Sequence, residues 1–111
     1  MNVYKEKVKD RKRTGGNTMN IALIIIDVQK AFISHRKGEK EYQNTLEYIN
    51  ETAALFRIAG KPVIIVRDIE GGNDETFQNV EDLIVESSDL EVLKMYSNSF
   101  WKTNLQEILE K

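Results

Sequence analysis

The sequence has no cysteine and a single histidine, His35, among its 111 residues. The absence of cysteine excludes disulfides, thiolate metal sites and a thiol nucleophile within these residues. A dedicated zinc site is not expected either, because such sites draw on several histidine or cysteine side chains. We therefore expect neither a metal nor another cofactor.

Long apolar runs and phosphate-binding motifs are also missing. No segment reaches the roughly 20 apolar residues that span a bilayer, and the N-terminus lacks the apolar stretch of a secretion signal. Neither the Gly-x-x-x-x-Gly-Lys pattern nor the Gly-x-Gly-x-x-Gly fingerprint occurs. We expect a cytoplasmic protein with no membrane partner.

Charge is distributed unevenly along a chain whose hydrophobic content of 41% is typical of a globular domain. Residues 1–18 carry six basic and two acidic side chains, a balance of +4, so the remainder must carry −6 to give the net charge of −2. A basic arm can bind nucleic acid, but this one has only Tyr4 to stack on a base. We expect residues 1–18 to be a basic, disordered extension, residues 19–111 to form one domain, and nucleic acid not to be a partner.

The sequence is organised around MNIALIIIDVQKAF, residues 19–32. Its unbroken apolar run, residues 21–26, is rich in β-branched side chains and predicts a strand buried on both faces of a parallel sheet. The run ends at Asp27, and in open parallel sheets the chemistry lies beyond the carboxyl ends of the strands. Asp27 is therefore either a reactive group or a structural anchor for the next loop.

A helix and a second strand follow. Apolar residues at helical spacing predict a helix over residues 42–59, with Asn44 and Glu47 as a capping box and Gly60 as its stop. The run PVIIV, residues 62–66, predicts a second buried strand. Strand, helix and strand make a right-handed βαβ unit, which implies an α/β fold.

The remaining segments predict loops, a short strand and a helix. Residues 34–41 and 70–79 are polar and contain glycine, as loops do. His35 in the first loop is either an acid, a base or a substrate contact, or a solvated surface residue. Residues 90–93 predict a brief third strand that ends at Lys94, and residues 100–110 predict a terminal helix. Three strands are fewer than the roughly five or six of a doubly wound domain.

Two segments together resemble the isochorismatase-like cysteine hydrolases, which include nicotinamidases, carbamoylsarcosine amidases and isochorismatases. The family's first strand ends in Asp-x-Gln-x-x-aromatic, matched here by Asp27, Gln29 and Phe32. A later lysine, a Ser/Asn-x-Phe and a Thr-x-Leu are matched within KMYSNSFWKTNLQEIL by Lys94, Asn98, Phe100, Thr103 and Leu105. The resemblance covers residues 19–111 but only about the first half of the family domain.

The resemblance implies a partial three-layer, Rossmann-like α/β fold with a parallel sheet. It also implies an Asp-Lys-Cys catalytic set that acts on amides or related small molecules. Asp27 would be the general base that takes the thiol proton, and Lys94 the cation that stabilises the carboxylate and the thiolate. Gln29, Phe32 and Phe100 would line the substrate pocket.

The sequence departs from the family pattern at the nucleophile. The family's cysteine follows a fourth strand beyond the last helix, and this sequence has none. Zinc-binding members carry Asp-x-His after the second strand, whereas Glu70 follows Asp68 at that spacing here, so the resemblance implies no metal site. We therefore expect a truncated, inactive or incomplete cysteine hydrolase.

Other functions are compatible with the residues. A non-enzymatic α/β module could join a second copy or a complementing chain through an open sheet edge. A receiver-like signalling domain would also have this length, but it needs an acidic pair after the first strand and an acceptor aspartate after the third. Asp27 could instead cap a turn, Lys94 could pair at the surface, and the other three candidates could belong to the core.

An incomplete sheet has a consequence for stability. Without the second half of the domain, the strand over residues 21–26 would be an exposed apolar edge, which favours association. We expect the 111-residue chain to be marginally folded, with a broad thermal transition by circular dichroism. A sharp cooperative transition in a sample that sediments as a monomer would contradict this expectation.

Overall fold

The computed structural model describes residues 2–8, 20–96 and 103–110. One sheet contains its four strands, β1 (Asn2–Val8), β2 (Asn20–Ile26), β3 (Val63–Asp68) and β4 (Leu90–Lys94), in the order β1-β2-β3-β4. The α-helices within these ranges are α1 (Lys30–Ile33), α2 (Lys40–Ile58) and α3 (Leu105–Glu110). Within these ranges, no helix combines the length and apolar character needed to cross a membrane.

The parallel α/β architecture confirms the predicted fold class. Strands β2, β3 and β4 are mutually parallel, and each lies within two residues of its predicted position. Gly60 ends the α2 segment with φ at +71°, a left-handed conformation that glycine adopts without steric cost. The capping box was wrong, because α2 begins after Glu39 and Asn44 lies inside the helix. Residues 100–102 of the predicted terminal helix lie outside the described part.

Alternating side chains of β2 and β3 build two separate cores. Leu23, Ile25 and their neighbours on β3 pack against the apolar face of α2. Ala22, Ile24 and the alternate residues of β3 pack with Leu105 of α3 on the opposite face. Since successive side chains of a strand point to opposite faces, this arrangement makes three layers and buries β2 on both sides, as its composition predicted.

The N-terminal segment pairs with the sheet instead of being disordered. Strand β1 runs antiparallel along the whole of β2, from the pair Asn2 and Ile26 to the pair Val8 and Asn20. The prediction of disorder is therefore wrong for residues 2–8, and β2 is not the exposed edge that we expected. The physical reason is that an unpaired strand edge exposes a row of backbone donors and acceptors. A neighbouring segment can pair with these groups even when its own side chains are charged. Residues 9–18 lie outside the described part.

Polar contacts of Arg57 and Tyr42 fasten α2 to the loop that precedes β4. Arg57 donates hydrogen bonds from Nε and Nη2 to the carboxylate oxygens of Asp89, at 2.9 and 2.6 Å. The hydrogen bond to Asp89 raises the pKa of Arg57 further above its usual value. At the other end of the helix, the Tyr42 hydroxyl donates to Asp82 Oδ2 over 3.0 Å. These contacts position the segment through which the chain returns to the sheet.

The Tyr42 contact predicts a dependence of stability on alkaline pH. Burial, with the hydrogen bond to Asp82, raises the pKa of Tyr42 from 10.0 to about 12. Because the native state holds this proton more tightly, its stabilising effect is complete below pH 10 and is lost as pH rises to about 12. A shift of this size corresponds to roughly 3 kcal/mol.

We expect the wild type to lose more stability between pH 10 and 12 than Tyr42→Phe, by about 2–3 kcal/mol in urea unfolding. Tyr48→Phe, which alters an exposed tyrosine on the same helix, should follow the wild type. A parallel decline of the wild type and Tyr42→Phe would contradict the prediction.

Candidate active site

Asp27 and Lys94 meet at the carboxyl edge of the sheet. Asp27 follows β2 directly and donates its backbone N–H to the Val66 carbonyl over 3.1 Å, which continues the parallel pairing with β3. Lys94 ends β4, two strands away from β2. Because strands lie about 4.8 Å apart, the gap is about 10 Å, and the long lysine side chain crosses it. Lys94 Nζ lies 3.3 Å from each Asp27 carboxylate oxygen.

Both partners of this ion pair are shielded from water. The Lys94 side chain is 5% exposed and that of Asp27 is 27% exposed. An ammonium group at this depth requires a counter-charge, since removing it from water without one costs several kcal/mol. The Asp27 carboxylate at the end of β2 therefore provides the counter-charge that a buried lysine at the end of β4 requires.

Asp27 also has an unusual backbone and an unused acceptor. Its φ is +63°, the sole left-handed conformation of a non-glycine residue in the described ranges. Such a conformation costs about 1–2 kcal/mol and persists where the surrounding structure imposes it. Its Oδ1 atom is buried and accepts no hydrogen bond from the described residues, although it lies close to the Lys94 ammonium. The carboxylate can thus accept one further proton donor.

Gln29 holds two loops together. Its Nε2 donates to the carbonyls of Asp68 and Phe77 over 2.9 and 2.6 Å, and its Oε1 accepts the Asp68 N–H over 2.7 Å. The residue is fully buried. Because backbone groups use both ends of the amide, the structure gives Gln29 a positioning role, and its predicted contact with substrate stays a prediction.

Phe32 lies on α1 close to a second aromatic ring. Its ring is edge-on to that of Phe77, with centroids 6.1 Å apart and planes at 82°, and 39% of Phe32 remains exposed. Phe77 rests against two glycines, because a Cβ added to Gly71 or Gly72 would lie 3.1 or 3.2 Å from its ring. Sequence reasoning missed Phe77, although the glycine pair ahead of it was a signal. Phe100 lies outside the described residues.

Arg67 is a second residue that sequence reasoning missed. It follows the apolar run of β3 and is 5% exposed. Its Nη1 donates to Asn73 Oδ1 and to the Phe77 carbonyl at 3.1 and 3.3 Å, and its Nη2 donates to Glu91 Oε1 at 3.0 Å. Arg67 and Gln29 therefore hold the same carbonyl from two sides. Its position, as a charged residue directly after a buried apolar run, was the signal in the sequence that could have indicated it.

The other polar candidates lie at the surface. His35 is exposed in a short 3-10 turn, Ser34–Arg36, as its solvated interpretation states. Asp74 accepts hydrogen bonds from the Thr76 hydroxyl and N–H, which lower the pKa of the Asp74 carboxyl. In the ranges that the structure describes, no three imidazole or carboxylate groups are placed to share a metal ion.

The Gln29 contacts predict a large cost for removing the amide. Gln29→Met keeps the volume but removes the amide partner of the Asp68 N–H and carbonyl and leaves the Phe77 carbonyl with Arg67 alone, so the free energy of unfolding should fall by roughly 2–4 kcal/mol. Amide exchange of Asp68 should accelerate as well. Gln43→Met, which changes an exposed glutamine on α2, should alter stability by less than about 0.5 kcal/mol. Equal effects of both changes in urea unfolding would contradict the assigned role.

Comparison with known proteins places this arrangement in a family. The family model for the isochorismatase domain matches residues 21–111. An uncharacterized isochorismatase family protein of Bacillus subtilis, YrdC, is 34% identical over 96 residues, which cover 80% of this chain and 51% of that protein. The aligned part therefore spans about half the length of this relative.

Solved structures give the same result. The crystal structure of an isochorismatase family protein matches with a TM-score of 0.71 and 28% identity over 79% of this chain and 55% of the other. The N-carbamoylsarcosine amidase of Thermoplasma acidophilum, at 24% identity, shares the fold with a TM-score of 0.69, over 79% of this chain and 59% of the amidase. Sequence and fold agree, and the chain belongs to the isochorismatase family.

Proposed function

We propose that this chain supplies the general-base part of a cysteine hydrolase site that acts on a small-molecule amide or a related substrate. The observation that carries the proposal is the shielded ion pair between Asp27 and Lys94 at the carboxyl edge of a parallel sheet. The sequence has no cysteine, so the nucleophile has to come from outside these 111 residues.

Asp27 is suited to accept the thiol proton. Its buried Oδ1 has no hydrogen-bond donor among the described residues, and an incoming S–H group would fill that place. The Lys94 ammonium, 3.3 Å from both oxygens, would attract the thiolate left behind as well as the carboxylate. A thiolate requires this kind of setting, a base within reach and a nearby positive charge.

The proton balance of the reaction follows from these roles. The thiol proton passes to the Asp27 carboxylate, and the thiolate attacks the substrate carbonyl carbon to form a tetrahedral oxyanion. Backbone N–H groups near the cysteine would stabilise that oxyanion. As the C–N bond breaks, the proton passes from Asp27 to the leaving amine and a thioester remains. Water, deprotonated by the same carboxylate, then hydrolyses the thioester and regenerates the thiol.

The neighbouring residues support a pocket for a small molecule. Phe32 and Phe77 present aromatic surface at the same edge, and the Gln29 and Arg67 contacts fix the Phe77 backbone. Phe100 is kept as a proposed pocket residue on the family resemblance. The cytoplasm is the proposed compartment on the sequence argument alone.

A second candidate is a non-enzymatic module that acts by association. The absence of cysteine favours it, because the chain alone has no family nucleophile. Family membership supports neither a receiver-like role nor phosphate acceptance, so we do not propose that alternative.

The proposal is tested by supplying the nucleophile in a fusion. The part of the Bacillus subtilis relative outside the aligned stretch, which the resemblance predicts to carry the cysteine, is joined after Lys111. Alkylation of that cysteine by iodoacetamide reports thiolate formation without knowledge of the substrate. We expect Asp27→Asn to slow alkylation at neutral pH by about tenfold or more, and to reduce ammonia release from small carboxamides by roughly 10²–10⁴.

Glu47→Gln, a change to an exposed carboxylate on α2, serves as the matched control and should behave like the unmodified fusion. Circular dichroism checks that Asp27→Asn is folded. Unchanged alkylation and unchanged ammonia release in a folded Asp27→Asn fusion would overturn the assignment of Asp27 as the base.

A further inference from the structure

The strands of the sheet differ in how deeply they are buried. In β2, the residues Ala22, Leu23, Ile24 and Ile25 are each at most 2% exposed. In β4, Leu90 and Leu93 are 41% and 39% exposed, and Val92 and Lys94 are buried. Burial on both faces is typical of a central parallel strand, whereas mixed burial is typical of an outer strand. By this criterion β2 belongs in the middle of a sheet and β4 at its edge.

Strand β1 lies outside the stretch that the family model matches. The family match begins at residue 21, whereas β1 is Asn2–Val8. It is also the one antiparallel strand among those that the structure describes. The matched region by itself therefore gives β2 a partner on one side only, β3, and β1 occupies the other side.

The relatives extend well beyond the stretch that aligns with this chain, and their remaining part would supply further strands to this sheet. The chain covers 51% of the Bacillus subtilis protein and 55–59% of the two solved structures. Additional strands have two edges available, the outer side of β4 and the side of β2 that β1 occupies. The burial pattern of β4 fits a permanent edge, and that of β2 is typical of a central strand. The second half should therefore pair with β2.

The direction of pairing decides what reaches Asp27. Because β1 is antiparallel, its first residue, Asn2, lies opposite Ile26 and its chain leads away from the site. A parallel strand in the same place would instead end beside Ile26, about 4.8 Å from β2. The residues after such a strand would then lie next to Asp27, on the side opposite β3 and Lys94. That geometry would bring a proton donor to the unused Oδ1 atom.

We propose that β1 is a displaceable edge strand, and that the side of β2 it covers is the docking surface for a polypeptide that carries the second half of an isochorismatase-family domain. The inference rests on the proposed function, since the docked segment would provide the nucleophile. Until it docks, β1 protects the apolar edge of β2 from pairing with other chains. Its sequence, NVYKEKV, carries the charged residues that natural edge strands use against aggregation.

The test weakens β1 in the full 111-residue chain and measures docking. Lys5 lies opposite Leu23 in the middle of the β1 and β2 pair. Lys5→Pro removes a backbone N–H and disfavours a strand, whereas Lys5→Ala removes the same charge and keeps the backbone. The probe is the fluorescently labelled part of the Bacillus subtilis relative outside the aligned stretch. We expect it to bind Lys5→Pro at least about tenfold more tightly than Lys5→Ala, which corresponds to about 1.4 kcal/mol. Equal affinities would overturn the proposal.

Hydrogen exchange in the fusion described above keeps the proposal testable if the separate probe is insoluble. Amides of residues 2–8 should be protected in the 111-residue chain and should exchange rapidly in the fusion, while β2 stays protected in both. Equal protection of residues 2–8 in both proteins would overturn the proposal. Displacement of β1 without an effect of Asp27→Asn on alkylation would refute the proposed function and leave the docking surface standing. If Asp27→Asn slows alkylation while residues 2–8 stay protected in the fusion, the docking proposal is refuted and the proposed function stands.

Discussion

The ion pair between Lys94 and Asp27 depends on nearly every other feature of the fold. It joins residues 67 positions apart, and it forms because β2, β3 and β4 lie side by side, parallel and in register. The parallel order in turn depends on α2, which carries the chain back across one face of the sheet. A buried ammonium group and a left-handed aspartate both oppose folding locally. The two apolar cores supply the stability that holds them in place, and locally unfavourable residues of this kind are expected at functional or strained sites.

The polar residues next to the pair position a loop instead of contacting water. Gln29 and Arg67 both donate to the Phe77 carbonyl, and both are almost completely buried. Their hydrogen bonds offset much of the cost of burying polar groups, although the buried Arg67 Nε has no hydrogen-bond partner among the described residues, and they fix the backbone between β3 and β4. The position of the Phe77 ring, against two glycines and near Phe32, follows from this fixed backbone. Hydrogen bonds to the Phe77 carbonyl therefore determine where the aromatic surface of Phe77 and Phe32 lies.

In the proposed function, two parts of a domain supply different groups of one site. The described residues contain the proposed base Asp27, the Lys94 cation and an aromatic surface, and the sequence contains no cysteine. In this view the same strand, β2, both delivers Asp27 and offers the edge at which a nucleophile would arrive. Strand β1 fits a temporary partner, because it satisfies the backbone of β2 while running in the direction that brings nothing to Asp27.

The sequence by itself determined the features that depend on local pattern. Continuous β-branched runs predicted β2 and β3, helical spacing predicted α2, and the family resemblance, together with the position of Asp27 at a strand end, indicated the candidate pair of Asp27 and Lys94. Tertiary structure decided what depends on contacts between distant residues. The Gln29 amide meets Phe77 across 48 positions, and a glutamine after a strand carries no sign of whether it will face substrate or backbone. Strand β1 was missed for the same reason, since its charged sequence becomes a strand only when the edge of β2 is present to pair with it.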